Sequence, residues 1–333
     1  MKKIFSLIVF FASVMMTYAQ GQCVATLRKS DGTVSVYYGA NAFVDAHSNA
    51  EAKGSVITLS SGMFHGTTIK KNITLRGAGM ERDTIAKRES TIISDYLSIQ
   101  GTDSVTIEGI RYDGDVVVYE PNKNVIFLKS RINRIGSGTV GQSLENASFI
   151  NCKITNELYI GSVKSALCVN SVLGGLQKQS SETELVCKNC VIRITKGHQN
   201  DGAYIKGGQF EDCLIFSRYF LRSSNMISNS LGFGNADIFK NNTVPTSTYI
   251  SDATTVFKTY TGGDIIDGET FELTEEAKSK YLGDDGTQVG IYGGIYPYNP
   301  TTTAPQIKKF DVARKSTAEG KLQVDIEVSA GAE

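Results

Sequence analysis

The chain has 333 residues, with 34 basic and 34 acidic side chains and a formal net charge of zero. It contains no block or stripe of Lys and Arg, and this argues against a nucleic-acid partner, because phosphate binding needs clustered positive charge. The 33 glycines, the 5 prolines and the many Thr, Ser, Val and Ile residues are typical of strands and tight turns rather than helices.

Residues 1–19 have the pattern of a secretory signal peptide. Two lysines precede an apolar run, Ile4–Met16, and small residues lead to a predicted cleavage site after Ala19. The apolar run is too short to span a bilayer, and no later segment predicts a transmembrane helix. Cys23 suggests a lipoprotein as the alternative, but the three residues before it lack the small and aliphatic residues of lipidation signals. We expect an exported protein, located in the periplasm, at the cell surface or outside the cell.

Six segments align without gaps to one pattern: an apolar residue, any residue, Asn or Asp, Cys or Ser, any residue, and an aliphatic residue. Successive segments start 22, 19, 19, 23 and 17 residues apart, and such a period indicates a stacked repeat architecture. The six segments are Phe127–Ile132, Phe149–Ile154, Cys168–Leu173, Cys187–Ile192, Phe210–Ile215 and Ile227–Gly232.

Each position of this pattern has a physical interpretation. The first, fourth and sixth positions are apolar or small, so we expect their side chains to point into a common core. The third position is Asn or Asp in five of the six copies, and these residues tolerate a left-handed backbone better than most. A strand, a sharp bend and a second strand would then form part of one coil of a solenoid. Coils stacked at about 4.8 Å would align like residues in ladders, including an asparagine ladder with hydrogen bonds along the stack.

These repeats and the segment before them resemble a right-handed parallel β-helix of the pectate-lyase-like superfamily. The segment Tyr37–Gly79 is similar to the opening of that superfamily, with an amphipathic capping helix near residues 42–52 followed by strands. The resemblance covers about residues 37–300, and we assign residues 20–300 to the β-helix. It implies little about function, because this architecture hosts lyases, hydrolases, adhesins and stalks.

The segments after the repeats predict how the solenoid ends. Thr274–Tyr281, TEEAKSKY, predicts a short helix with Thr274 as its N-cap. Tyr281–Tyr298 resembles the closing segment of exported β-helix proteins of Bacteroidetes-type bacteria. Residues 301–333 predict a linker and a pair of strands, which form a hairpin on the end of the solenoid or pair with a protein partner.

The catalytic sets of enzymes with this fold are incomplete in the sequence. The lyases hold calcium with acidic residues on adjacent strands, and Asp113 and Asp115 come closest to such a set. We interpret them instead as solvated turn residues. The hydrolases share a paired Asp–Asp that the sequence has only at Asp284–Asp285, in the predicted closing segment, and inverting hydrolysis needs two carboxylates about 6.5–9.5 Å apart. Catalytic residues therefore stay unassigned, and no cofactor is predicted unless the protein is a lyase that binds Ca²⁺.

The most promising binding segment is Arg193–Gly208, because it contains the longest spacing between repeats and hence a predicted loop. Phe216–Asn225 follows it, and aromatic rings beside Arg or Lys on a sheet face suit sugars and sugar carboxylates. The alternative is the ordinary polar surface of a soluble sheet. The candidate ligand-binding residues are Tyr159, Lys196, His198, Asp201, Tyr204, Lys206, Arg218, Tyr219 and Arg222.

The histidines and cysteines do not predict a metal site. His47 falls in the predicted capping helix, His65 follows a strand, and no His/Cys spacing matches a zinc site. Six cysteines in an exported protein would ordinarily suggest three disulfides. However, serine replaces cysteine at the fourth repeat position, and Phe or Ile replaces it at the first. This exchange indicates small buried side chains rather than cross-links.

The sequence therefore favours an exported β-helix that acts as a non-catalytic binding or structural module, with carbohydrate as the expected ligand. The alternative is a divergent polysaccharide lyase or glycoside hydrolase on the same scaffold. A third hypothesis is a passive envelope component whose C-terminal strands pair with a protein partner.

Overall fold

The computed structural model is a parallel β-solenoid of about nine turns with very few helices. This confirms the all-β solenoid predicted from the repeats. The predicted signal peptide lies outside the residues that the structure describes. The structure describes residues 23–82, 89–136, 144–159, 165–177, 184–194, 205–260, 269–302 and 319–321, and the backbone of residues 197–198, 202–203, 306–312 and 324–329.

The first sheet follows the solenoid from end to end and has 11 strands. The three strands at its N-terminal end pair antiparallel, and all later pairs are parallel. In spatial order the strands are Val34–Tyr38, Val24–Arg28, Lys53–Leu59, Asn72–Arg76, Val105–Glu108, Val125–Leu128, Ala147–Ile150, Ser165–Val169, Glu184–Lys188, Gly208–Glu211 and Met226–Ser228.

The second sheet has 13 strands, and its strand pairs are parallel. Each turn of the chain passes from the first sheet to the second through one sharp bend. In chain order the strands are Gly62–His65, Thr68–Ile69, Thr91–Ser94, Leu97–Gln100, Ile110–Tyr119, Arg131–Ile135, Lys153–Tyr159, Val172–Leu173, Leu176–Gln177, Val191–Ile194, Leu214–Ser217, Leu231–Gly234 and Thr248–Ile250.

Short elements complete the described part of the chain. Its helices are Ala42–Asn49, Glu275–Lys280 and the 3-10 turn Ala253–Thr255, and none is long and apolar enough to cross a membrane. Three strand pairs stand apart from the two large sheets. They are Asn122–Lys123 with Leu144–Glu145, Gly197–His198 with Gly202–Ala203, and Gln306–Val312 with Val324–Ser329. The last pair is the antiparallel C-terminal hairpin predicted from the sequence.

The register of the sheets confirms the alignment of the six repeats. Phe127, Phe149, Cys168, Cys187, Phe210 and Ile227, at the first position, pair from turn to turn in the first sheet. The aliphatic residues at the sixth position pair in the second sheet. Both sets are buried, and the rings of Phe127 and Phe149 stack with centroids 5.4 Å apart. The interior of the solenoid is therefore a set of ladders of like side chains.

The third repeat position forms the bend between the two sheets. The bend requires a positive φ, which Asn and Asp adopt at lower cost than most residues. The values of φ lie between +45° and +57° at Lys129, Asn151, Asn170, Asn189, Asp212 and Asn229. A further copy of the repeat, which the sequence pattern missed, bends at Thr246 with φ +62°.

The fourth repeat position explains why cysteine and serine alternate. The Cys152 thiol donates to the carbonyl oxygens of Phe127 and Ile150 at 3.2 and 3.4 Å. The Ser171 hydroxyl donates to Phe149 and Val169 in the same arrangement, at 3.0 and 2.8 Å. Burial raises the pKa of Cys152 to about 12, so its thiol stays protonated and can donate. All six cysteines are free and five are buried, in agreement with the prediction of small buried side chains.

The N-terminal helix Ala42–Asn49 covers the open end of the interior, as predicted. Its residues Ala42, Phe43 and Ala46 are fully buried. Lys71 caps the last turn by donating to three backbone carbonyls at 2.6–2.9 Å. Desolvation, together with Lys71 and Lys70, lowers the pKa of the buried His47 to about 4. His47 is therefore a neutral part of the cap.

Residues 253–260 and 269–280, here called the covering layer, lie on the outer face of the second sheet. Thr274 caps the helix Glu275–Lys280 by accepting from the Ala277 amide, which confirms the predicted cap. A second hydrophobic cluster joins outward side chains of the sheet to this covering layer. Its buried members are Val172, Val191, Leu214, Leu231, Phe233, Val256, Phe257, Phe271, Leu273, Ala277, Val289 and Ile291.

Residues 281–302, here called the closing strap, run back along the bends toward the N-terminus. The Gly290 amide donates to the carbonyl of Asp212 at 2.7 Å. The Asn170 amide group donates to the Ile291 and Gly293 carbonyls at 2.9 and 2.7 Å. Further along, the Asn151 side chain accepts from the Asn299 amide. The side-chain hydrogen bonds of Asn151 and Asn170 thus go to the strap, whereas the sequence predicted a ladder that bonds along the stack.

Candidate functional site

The candidate site is a groove of about 570 Å³ on the outer face of the second sheet, here called the first groove. It lies where the last turns of the solenoid meet the covering layer. Strands of the sheet form its floor, and the 3-10 turn and Tyr260 border it. The lining residues are Arg193, Ile194, Phe216, Ser217, Arg218, Tyr219, Phe233, Gly234, Ile250, Ser251, Ala253 and Tyr260.

Aromatic rings form much of the floor of the first groove. Arg193, Phe216, Phe233 and Ile250 occupy one register position in four successive strands, so their side chains form a column on the outer face. The rings of Phe216 and Phe233 stack with centroids 4.6 Å apart, and Tyr260 lies 5.4 Å from Phe216. Phe233, in the next strand, is buried, whereas Phe216 is half-buried and lines the groove.

Two guanidinium groups stand beside this aromatic floor. Arg193 begins the column and Arg218 follows the strand Leu214–Ser217, so both cations reach the same groove. Desolvation and the neighbouring charge of Arg218 lower the pKa of Arg193. A ligand oxygen bound between the two guanidinium groups would reduce the repulsion between their charges. It would also accept paired N–H hydrogen bonds from either group.

The structure brings two of the predicted site residues to the groove. Arg218 is exposed at its edge, and Tyr219 lines it while also packing against the interior core. Tyr159, Lys206 and Arg222 do not line it. Their ligand-binding role stays a prediction.

The other predicted site residues fall in the loop insertion before the first groove. Lys196, Asp201 and Tyr204 lie outside the described residues. The backbone of His198 is in the short antiparallel pair Gly197–His198 with Gly202–Ala203, which confirms an insertion at this point.

The sequence did not single out Arg193, Phe216 and Tyr260. Arg193 and Phe216 belong to the two segments that the sequence favours for binding, Arg193–Gly208 and Phe216–Asn225. However, the register that aligns their side chains is a property of the assembled sheet. Tyr260 is distant in sequence and reaches the groove through the covering layer. In the sequence it lies between the last repeat and the predicted helix Thr274–Tyr281, where no motif marks it.

Asp113 and Asp115, which the sequence suggested to be turn residues, lie within the strand Ile110–Tyr119 beside guanidinium groups, and Asp284 lies 3.6 Å from Lys188. Asp113 contacts Arg111 at 2.7 Å and Arg131 at 3.5 Å. Asp115 lies 3.9 Å from Arg134 and accepts from Asn133. No Asp or Glu is among the described residues that line the first groove. Within the described part of the chain, no three His, Cys, Asp or Glu side chains are arranged to hold a metal ion.

Comparison with known proteins does not place the chain in a family. No protein-family model and no curated protein matches the sequence, and no solved structure matches the fold significantly.

Proposed function

We propose that the protein is an exported module that binds a carbohydrate in the first groove without cleaving it. The observation that carries this proposal is the half-buried ring of Phe216 in a groove that two guanidinium groups also line. Such a ring offers an apolar platform to the face of a sugar, and the guanidinium forks bind its hydroxyl or carboxylate oxygens. The signal-like N-terminus supports export, and the resemblance to pectate-lyase-like β-helices supports a polysaccharide or envelope ligand.

The chemistry of the described lining residues supports binding without cleavage. Glycoside hydrolysis uses a pair of carboxylic side chains on either side of the scissile bond. The described lining residues supply cations, hydroxyl groups and aromatic rings but no carboxylate. The lining therefore suits recognition of a sugar better than acid–base attack on it.

A glycan array probed with the mature chain tests the proposal, followed by calorimetric titration of the strongest ligand. Replacing both cations, in Arg193→Gln/Arg218→Gln, removes charge-assisted hydrogen bonds and should weaken binding at least about tenfold. Lys240→Gln is the matched control, because this exposed lysine lies at the same end of the solenoid but outside the groove. Equal binding by the double variant would refute the site.

A parallel assay separates binding from catalysis. The mature chain is incubated with acidic and neutral polysaccharides, with and without Ca²⁺. We expect no new reducing ends and no absorbance from unsaturated uronate. Either signal, if abolished by the double variant, would replace the binding proposal with a lyase or a hydrolase.

A further inference from the structure

The first sheet ends, on its N-terminal side, in a strand that has a neighbour along one edge. The strand Val34–Tyr38, here called the edge strand, is the outermost of the 11 strands and pairs antiparallel with Val24–Arg28. Among the residues that the structure describes, no strand lies along its other edge. A free edge of this kind offers backbone N–H and C=O groups to a strand of another chain.

Two hydrogen bonds fix which residues of the edge strand bond to its neighbour. The amide of Gly39 donates to the carbonyl of Cys23 at 2.8 Å, and the amide of Lys29 donates to the carbonyl of Thr33 at 2.9 Å. In an antiparallel ladder, hydrogen-bonded pairs alternate with pairs that are not hydrogen-bonded. The odd-numbered residues of the edge strand therefore bond to the neighbouring strand.

The even-numbered residues consequently face the open edge. The backbone N–H and C=O groups of Val34, Val36 and Tyr38 point away from the neighbouring strand, because bonding alternates along the ladder. The edge thus presents three donors and three acceptors in a row. Their spacing of two residues is the spacing at which a further antiparallel strand binds.

The side chains at the same three positions are apolar and exposed. Val34, Val36 and Tyr38 are 56%, 45% and 64% exposed, whereas Tyr37 packs against the interior core. The edge strand, VSVYY, contains no Lys and no Pro, which many proteins place on a free edge to prevent pairing. Both its backbone and its exposed face therefore favour contact with another strand.

The edge strand is complementary to a second copy of itself. If two copies pair antiparallel with Val36 opposite Val36, then Val34 of each copy lies opposite Tyr38 of the other. Residues that lie opposite each other share one face of the sheet, so every exposed apolar side chain meets another apolar side chain. No like charges come together, because the strand has no charged residue. The three even-numbered positions then exchange about six backbone hydrogen bonds.

This register also satisfies the symmetry of a dimer. An antiparallel pair of identical strands has a twofold axis, and one surface then serves both copies. A register shifted by one residue would oppose even-numbered residues to odd-numbered ones, whose backbone groups point the other way. A register shifted by two would place Tyr38 opposite Gly32 or Val34 opposite Ala40, so that one apolar contact is lost at each end.

We propose that two copies of the protein dimerise through their edge strands, with Val36 of each copy at the twofold axis. The contact is smaller than a standard interface, so we expect a dissociation constant on the order of 10–100 µM rather than an obligate dimer. The two first grooves then lie at opposite ends of one continuous solenoid, which favours bivalent binding of a polymer. That consequence rests on the proposed function, whereas the pairing itself does not.

Sedimentation equilibrium of the mature chain between about 2 µM and about 200 µM tests the proposal. We expect monomer at the lower concentration and mainly dimer at the higher one. A reductant is present throughout, because Cys23 is a partly exposed free thiol. A protein that is still monomeric at the higher concentration overturns the proposal. Neither result affects the first groove, because no ligand is present.

Charge at the twofold axis tests the register. Val36→Lys sets two like charges opposite each other and should weaken dimerisation about tenfold or more, and Val36→Glu should do the same. An equimolar mixture of the two variants should recover the dimer, because Lys then lies opposite Glu. Thermal unfolding confirms that each variant is folded. A dimer that survives Val36→Lys overturns the proposal, and so does a mixture that associates no better than either variant alone.

Met63→Lys is the matched control. Met63 is 57% exposed on Gly62–His65, the strand at the N-terminal end of the second sheet. It therefore offers a similar exposed apolar position at the same end of the solenoid, but outside the edge strand. We expect Met63→Lys to leave the dissociation constant unchanged. An equal loss of dimer in Met63→Lys and Val36→Lys would contradict an interface centred on the edge strand.

Amide-resolved hydrogen exchange gives an independent measurement at the backbone. The amides of Val34, Val36 and Tyr38 should exchange more slowly at about 200 µM than at about 2 µM, because they donate across the dimer. The amides of Ser35 and Tyr37 bond within each copy, so their exchange should not depend on concentration. Exchange at the three even-numbered amides that is the same at both concentrations would overturn the proposed pairing.

Discussion

At the scale of the residue, each turn depends on two neighbouring positions at the bend. The first adopts a positive φ, and the second carries a thiol or hydroxyl that donates to two backbone carbonyls. One carbonyl belongs to the preceding turn, as Phe127 does for Cys152, and the other lies two residues back, as Ile150 does. The small side chain thus ties each bend to the turn before it. Cysteine and serine are interchangeable because both have one donor on a short stem.

Substitutions at Cys152 test this account. Cys152→Ser keeps a donor in the position that Ser130 and Ser171 occupy in the adjacent turns. We therefore expect the free energy of unfolding to change by less than about 1 kcal/mol. Cys152→Val keeps an apolar group but removes the donor and adds a branch in a packed interior. Its expected cost is about 1–3 kcal/mol.

Urea unfolding of both Cys152 variants measures the difference. Thr106→Val, on the half-buried face of the first sheet, controls for adding valine to a strand. A Cys152→Val protein as stable as Cys152→Ser would show that the donor is not needed.

Among the six aligned repeats, Asp212 is the bend residue that carries a carboxylate, and we expect it to make stability depend on pH. It is fully buried beneath the strap, where a Cβ on Gly283 would come within 2.7 Å of its carboxyl carbon. Burial and the nearby Asp284 raise the pKa of Asp212 to about 7, while Glu211 adds to the repulsion. Lys188 lies 3.6 Å from Asp284 and partly offsets the negative charge.

The sign of the effect follows from proton binding. Between pH 4 and pH 7 the folded state holds a proton on Asp212 that the unfolded chain releases, so rising pH favours unfolding across this interval. The stability contributed by the protonated group is full below about pH 4 and is lost above about pH 7. Asp212→Asn should remove this slope and stabilise the protein at pH 8 by on the order of 1 kcal/mol. Asparagine fits, because it stands at the equivalent bend in Asn189 and Asn229.

Denaturant midpoints at pH 4.5 and pH 8 measure this difference. Asp237→Asn, at an exposed position, is the control and should leave the slope unchanged. The explanation fails if Asp212→Asn keeps the full pH dependence of the parent protein.

At the scale of the element, the closing strap turns a row of bends into a binding surface for the chain's own C-terminal part. The bends expose amide and carbonyl groups at regular intervals, and the strap meets them with its backbone at Gly290, Ile291 and Asn299. Glycine is needed where the strap comes closest. At Gly294, where φ is +76°, a Cβ would lie 2.6 Å from the side-chain oxygen of the bend residue Asn189. The strap also supplies Tyr292 and Tyr298, whose rings pack edge to face with centroids 6.4 Å apart.

Asn170→Asp should release the strap without disturbing the bend. Aspartate tolerates the φ of +45° at this position, but it replaces two donated hydrogen bonds with a carboxylate facing two carbonyls. The expected loss is about 2–3 kcal/mol, because the group is fully buried. Hydrogen exchange should increase at the amides of Gly290 and Asn299.

Asn124→Asp is the matched control for the strap. It is also a bend asparagine, with φ +49°, but it is exposed and distant from the strap. We expect no change in the exchange of strap amides. Protection that persists in Asn170→Asp would mean that the apolar cluster alone holds the strap.

At the scale of the whole molecule, one covering layer shapes both the first groove and a second groove of about 470 Å³, which Lys153, Val172 and Tyr292 help to line. The outer face of the second sheet is apolar where the layer lies on it, as at Leu214 and Leu231, and open at both sides. The first groove lies beside the covered patch in the same turns of the solenoid, and the second lies beyond the N-terminal end of the patch. Each groove takes one wall from the sheet and another from the C-terminal part of the chain. A solenoid without this layer would present a flat face instead of two concave sites.

The sequence predicted the repeat, its register, the bends at Asn151 and Asn170 and the cap at Thr274, and the structure confirms them. These features follow from local rules, because the fit of a residue to a bend or a helix end depends on its immediate neighbours. Thr246 escaped the pattern because it adopts the same φ as the asparagines without being Asn or Asp. The sequence predicted Arg218 as a ligand-binding residue because a guanidinium group suits sugar carboxylates, and not because of its position in the fold.

The grooves required the tertiary structure. The column of Arg111, Arg131 and Lys153 is not a motif in the chain, since its members are separated by 20 and 22 residues and align only when the turns stack. Tyr260 and Tyr298 reach their grooves because the covering layer and the strap fold back on the sheet. The sequence by itself determined how each coil is built, because the bend and the ladder are repeated local choices. Only the tertiary structure decided where a ligand would fit, because concavity and charge alignment arise from contacts between segments that are distant in sequence.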